Sequence, residues 1–149
     1  MSRFMSLALP VALLLALLIP AGASASSPQQ NMLAKINKIR AKHGLHKLRF
    51  SRSLQRSATR YSRHMERSDY FGHSSRIRAS GRFSSLGEIL EAHFVRKPMV
   101  GYAARNWMNS SGHRSVILSR SFRLAGAGYA MGRYQGKPVT MWTMHFGKR

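Results

Sequence analysis

Near residue 122 the hydrophobic pattern of this chain changes period, and the change sets its fold class. Upstream, apolar residues recur at helical spacing: Met32, Leu33, Ile36 and Ile39 share one side of a segment beginning at Asn31, with Lys35, Lys38 and Lys42 turned elsewhere. Leu54, Ala58, Tyr61 and Met65 repeat the pattern opposite a basic stripe of Arg52, Arg56, Arg60, Arg63 and Arg67. Downstream, "FRLAGAGYAM" (122–131) and "PVTMWTMHF" (138–146) read as extended segments, joined by "GRYQGK" with the glycine content of a hairpin connection. Side chains alternate across a strand, so Thr140, Trp142, Met144 and Phe146 share one face and Val139, Met141, Thr143 and His145 the other. Gly126 and Gly128 would weaken an isolated strand, which implies a closely packed neighbour. Helices first and then a hairpin make an α+β chain.

The boundaries follow from local chemistry. His43-Gly44 stops the first helix, with Gly44 in the left-handed position, and "LHKLRF" (45–50) is a short extended link. Ser51 or Ser53 can cap the second helix. Residues 69–85 lose all periodicity and read as loop with a short helical turn, and "LGEILEAHF" (86–94) as a strand, or a turn followed by one. Pro98 suits the first turn of a third helix that buries Val100, Ala103, Ala104 and Trp107. The "NSSGH" turn ends that helix, and "RSVILS" forms one more helical turn. Trp107, Trp142 and Phe146 are expected in the core.

The N-terminus reads as a signal peptide over residues 1–25, with Arg3 as the positive region, "LALPVALLLALLIP" as a short apolar core and "AGASAS" as a cleavage region. Residues 26–30, "SSPQQ", read as a loose leader, leaving one domain over 31–149. The chain has no cysteine, so neither a disulfide framework nor thiol chemistry supports it. With Arg3 removed, 24 of the 25 cations remain against four acids, a formal charge of +20. Such a surface attracts polyanions. Export makes an anionic cell-envelope polymer or lipid the expected partner, with extracellular nucleic acid bound only non-specifically. A secreted or periplasmic monomer is expected.

Common hydrolytic machinery is poorly supplied. There is no G-x-S-x-G elbow, H-E-x-x-H, phosphate loop or dinucleotide fingerprint, and Asp69 is the only aspartate. A glycosidase pair would have to come from Glu66, Asp69, Glu88 and Glu91. What remains is a set of polar residues beside glycines: His73 in "FGHSS", Glu88 in "LGEIL" and His113 in "SSGHR". Imidazoles and a carboxylate can make a metal site, but separations of 15 and 25 residues are not diagnostic, and each residue could equally tie down its own loop. Alternation places Glu91 on the strand face opposite Glu88. His43, His46 and His64 are expected at polar helix surfaces, and His93 and His145 in or near strands, where one could line a cleft.

The motifs "YFGHSS", "LGEIL", "WMNSSGHRSVIL", "FRLAGAGYA" and "WTMHFG" stand in the order found in bacterial members of the CAP superfamily, whose module is also called the SCP domain. The opening "LAKINKIRAKHGLHKLRFSRSLQRSATRYSRHM" is similar to its first two helices, and the resemblance spans about residues 31–147. It implies an α-β-α sandwich around a small, mainly antiparallel sheet flanked by helices. It also implies a cleft where His73, Glu88 and His113 converge. In that family the two histidines can hold a divalent metal, usually zinc, with the glutamate beside it. Two departures bear on this: "GEI" replaces the usual "GEN", and "WMNSSGH" offers Asn109 and Ser110 where animal and plant relatives often carry a second glutamate. The resemblance favours a binding module; its alternative is a zinc-dependent hydrolase with Glu88 as the catalytic base. A carboxylate among so many cations is also expected to stay ionised.

Overall fold

A computed structural model describes residues 25–149. The expected signal peptide therefore lies, but for Ala25, outside the described residues. Helix α1 (Pro28–Lys42) is followed by β1 (Arg49–Phe50), α2 (Arg52–Arg67), β2 (Ser85–His93), α3 (Val100–Asn109), α4 (Ser111–Ile117), β3 (Leu124–Tyr134) and β4 (Lys137–Lys148). The four strands form one sheet in the order β1-β3-β4-β2, antiparallel except for the short parallel pairing of β1 with β3.

Both faces of the sheet are covered, which gives three layers. Trp142, Met144 and Phe146 point into the larger core, with Met32 and Ile36 of α1, Ala103, Ala104 and Trp107 of α3, and Ile117 of α4. Val139 and Met141 point the other way, against Met65 of α2 and Leu90 of β2. The alternation read from β4 is thus realised with apolar contacts on both sides. Gly126 and Gly128 show why they lack side chains: a Cβ would lie 2.1 Å from the Gln55 nitrogen and 2.2 Å from the Thr59 nitrogen. The backbone of α2 lies directly on β3 there, and only glycine admits it.

The first helix begins three residues before the periodicity indicates. Residues 26–30 are not a loose leader, because Ser27 and Gln30 form a reciprocal capping box around Pro28 in the first turn. Ser51, not Ser53, caps α2. The 69–84 segment contains no helical turn. Ser110-Ser111-Gly112 is not a tight turn either: Ser110 caps α4 and accepts from the His113 backbone nitrogen at 3.5 Å. The hairpin turn narrows to Gln135 and Gly136, both with positive φ, as a two-residue connection requires. Arg40, an apparent surface residue of α1, is fully buried, and its guanidinium donates to the carbonyls of His46, Ile117 and Ser119. No helix among the described residues is long and apolar enough to cross a membrane.

Candidate binding cleft

Glu88 sits in the middle of β2, and its cross-strand partner in the register is His145 of β4. Directly paired residues point to the same face, here the face covered by α2. His145 Nε2 lies 2.9 Å from Glu88 Oε2. The 68–84 loop folds over the carboxylate from the other side. His73 Nδ1 and the Ser74 backbone nitrogen each lie 2.9 Å from Oε1, and Ser74 Oγ lies 2.9 Å from Oε2. Four donors therefore occupy the four lone-pair positions of one buried carboxylate.

Burial alone would raise the pKa of Glu88, but the bonds from His145, Ser74 and His73 outweigh it and hold the carboxyl at about 2. Glu88 stays ionised, as expected, although the cause is this set of hydrogen bonds and not the bulk cationic charge. An ionised carboxylate fixes both tautomers. His145 donates from Nε2 and His73 from Nδ1, and the His73 ring is 61% exposed. His145 is 1% exposed, and its Nδ1 has no hydrogen-bond partner among the described residues.

Above this cluster lies a cavity of about 650 Å³ between α2 and the 70–78 loop. Arg60, Arg76 and Arg78 stand on its walls together with His64 and His73. Ser57, Ser75, Tyr61 and Tyr70 add hydroxyls, and the Tyr61 hydroxyl donates to the Gly72 carbonyl at 2.6 Å. Burial first, then the negative charges of Glu88 and Tyr70, push the Tyr61 phenol up to about 12. Beneath, Ser62 Oγ reaches Thr143 Oγ1 at 2.8 Å and fixes α2 to the sheet.

Of the three residues singled out in the sequence, the structure joins His73 to Glu88 directly. His113 enters from α4, half-buried, outside the cavity lining, and its ring bonds neither partner. It is close enough to respond to His73, since burial first and the His73 charge second lower its pKa. His145 was one of two strand histidines that could line a cleft, and it is the one that does; the Glu88 register singles it out. His93 is buried on the other face with Glu91, at 2.9 Å, and Asn106 bonds the same glutamate. Glu91 is thereby removed from the cleft, as alternation indicated.

The donor chemistry limits what metal this cleft could hold. His73 Nε2 and a neutral His113 are suitable imidazoles, and Glu88 orients His73 as a metal ligand's outer partner does. The carboxylate itself has no lone pair to spare, and no group of three His, Cys, Asp or Glu among the described residues could hold a metal ion. The donor set supplies two imidazoles at most, short of the four ligands that a closed structural zinc site needs. The same saturation leaves Glu88 without a position from which to accept a proton from bound water, the step a hydrolase would ask of it.

A three-layer α-β-α domain with a histidine–carboxylate cluster beneath a loop defines the class. The model of the Cysteine-rich secretory protein family, CAP, matches residues 33–146, and the chain belongs to that family. It is 28% identical over 126 residues to YlbC, a membrane protein of Bacillus subtilis (strain 168), covering 78% of this chain and 36% of YlbC. Among solved structures it is similar to an extracellular protein containing an SCP domain from Bacillus anthracis, with a TM-score of 0.61 and 26% identity over 82% of this chain and 40% of that one. An outer surface protein from Borrelia burgdorferi shares the fold, with a TM-score of 0.63 and 17% identity over 80% of this chain and 90% of that one. The chain thus spans little more than a third of the length of YlbC.

Proposed function

We propose that this CAP domain acts outside the cytoplasm, secreted or periplasmic, as a binding module that takes an anionic group of a cell-envelope polymer into the cleft. The observation that carries this reading is the charge balance of the cavity. No carboxylate is among its lining residues, and Glu88 beneath it is saturated internally, whereas Arg60, Arg76 and Arg78 stand on its walls. Guanidinium groups beside hydroxyls suit phosphate and carboxylate ligands. The signal-like sequence at residues 1–25 and the extracellular SCP protein of similar structure support the location.

His73 and His113 are the residues that would hold a divalent ion such as zinc, with Glu88 as the positioning residue. When bound, such an ion supplies a Lewis-acid contact for an anionic ligand. Every other contact in this reading belongs to the protein.

The test is calorimetric titration with poly(glycerol phosphate), in chelator and then with added zinc. Binding is expected with log K falling linearly against log salt. Arg76→Ala/Arg78→Ala is expected to weaken it roughly tenfold and to lower the salt slope by about two. Equal affinity and an equal slope in the variant would remove the cleft from the function.

A further inference from the structure

The opposite end of β2 carries a second surface that the cleft does not use. From Glu88 to His93 is five residues, about 17 Å along an extended strand. There β2 runs into the 94–99 loop and then α3, beside the β3–β4 turn. Phe94 is 54% and Val95 44% exposed, and Met99 and Tyr102 are exposed with them. Cations are interleaved: Arg96 and Lys97 lie in the same loop, and Lys137 Nζ sits 5.7 Å from the centre of the Phe94 ring.

These apolar side chains are not exposed because the loop is loose. Its backbone is pinned inward. The Lys97 carbonyl lies 2.7 Å from His93 Nε2, and the Lys97 nitrogen donates to Thr140 Oγ1 at 3.1 Å. Thr140 Oγ1 in turn lies 2.6 Å from the Val95 carbonyl, and the Val95 nitrogen donates to the His93 carbonyl. Glu91 holds the other side of the His93 ring. The backbone groups of Val95 and Lys97 thus find partners within the protein while the large side chains stand out. A surface that enters a poorly hydrated medium needs that arrangement, since unpaired backbone groups would oppose entry.

We propose that this tip docks on the surface of an anionic lipid bilayer, with Phe94, Val95, Met99 and Tyr102 in the interfacial layer and Arg96, Lys97 and Lys137 on headgroup phosphates. The charge pattern selects the partner. Glu91 is buried and paired with His93. Although Asp69 and Glu66 lie by the β3–β4 hairpin, under the Gln135 nitrogen and against Gly132, the 94–102 stretch itself carries only cations, Arg96 and Lys97, with Lys137 over the Phe94 ring. Aromatic and aliphatic groups ringed by Lys and Arg match the headgroup boundary, where long cationic side chains extend to phosphates as the apolar ones insert. This inference stands independently of the cleft and concerns different residues.

Co-sedimentation of the protein with vesicles of roughly one-third phosphatidylglycerol in phosphatidylcholine, at physiological salt, tests it. Phe94→Ser/Val95→Ser/Met99→Ser is expected to bind about tenfold or more weakly. Arg52→Ala/Arg56→Ala, which removes two exposed cations of α2 that line neither the tip nor the cleft, is expected to stay within about twofold, which separates the tip from general charge. Equal binding by the triple variant would reduce the interaction to general charge and overturn the proposal. So would equal binding to pure phosphatidylcholine, or a dimer in solution that the triple variant dissociates. Should the triple variant unfold, Phe94→Trp serves instead: its emission is expected to shift blue and to be quenched by brominated lipid on anionic vesicles only. An unshifted, unquenched spectrum overturns the proposal.

Discussion

Replacing Glu88 by glutamine keeps the volume and removes the charge, so it probes the buried carboxylate directly. In the native protein its oxygens receive His73 Nδ1, the Ser74 nitrogen, Ser74 Oγ and His145 Nε2. A glutamine amide offers one oxygen, and its NH₂ would face two donors. These bonds hold the Glu88 carboxyl at about 2, against an ordinary value of 4.5. A depressed folded pKa stabilises fully above the unfolded value and is lost as pH falls through the folded one. A gap of about 2.5 units at about 1.4 kcal/mol per unit is worth roughly 3 kcal/mol, and a side chain this buried is little screened by solvent. Urea denaturation of the wild type and Glu88→Gln, in chelator, at steps from about pH 7 to about pH 2, measures it. The wild type is expected to be the more stable at neutral pH, and its advantage to shrink by about 3 kcal/mol between roughly pH 5 and pH 2. An advantage that holds within about 1 kcal/mol across that window would refute the four-donor account of the cleft.

Other perturbations probe the frame and the site. Gly128→Ala should cost about 3 kcal/mol, seen as a lower Tm, because the new methyl meets the backbone of α2 and not a flexible side chain; an unchanged Tm would mean that helix and strand can part easily. Glu91→Ala should cost about 3 kcal/mol by stranding the buried His93 ring, and amide exchange in the 94–99 loop should quicken. Protection unchanged from wild type would show that the loop does not depend on this pair. His73→Ala/His113→Ala should abolish zinc uptake in titration calorimetry while leaving the fold intact by circular dichroism. Zinc uptake retained by that variant would move any metal site elsewhere.

Much of this protein is legible one segment at a time. The helical spacing of Met32 and Ile36, the left-handed Gly44, the two-faced alternation of β4 and the opposed faces of Glu88 and Glu91 all depend on residues a few positions apart. Backbone geometry ties such neighbours together wherever the chain goes. Gly126 and Gly128 even announce a close neighbour, though not that it is α2. The cleft is a different case. His145 reaches Glu88 across 57 residues of sequence through one particular strand register, and a slip of a single residue would turn it to the other face. Ser74 arrives from a loop without periodicity, and Arg40 is buried because three carbonyls converge on it from the 46 and 117–119 segments. Local pattern thus decides which elements form and which faces they bury. Packing alone decides which distant polar groups must satisfy one another, because that need arises only when water is removed from between them.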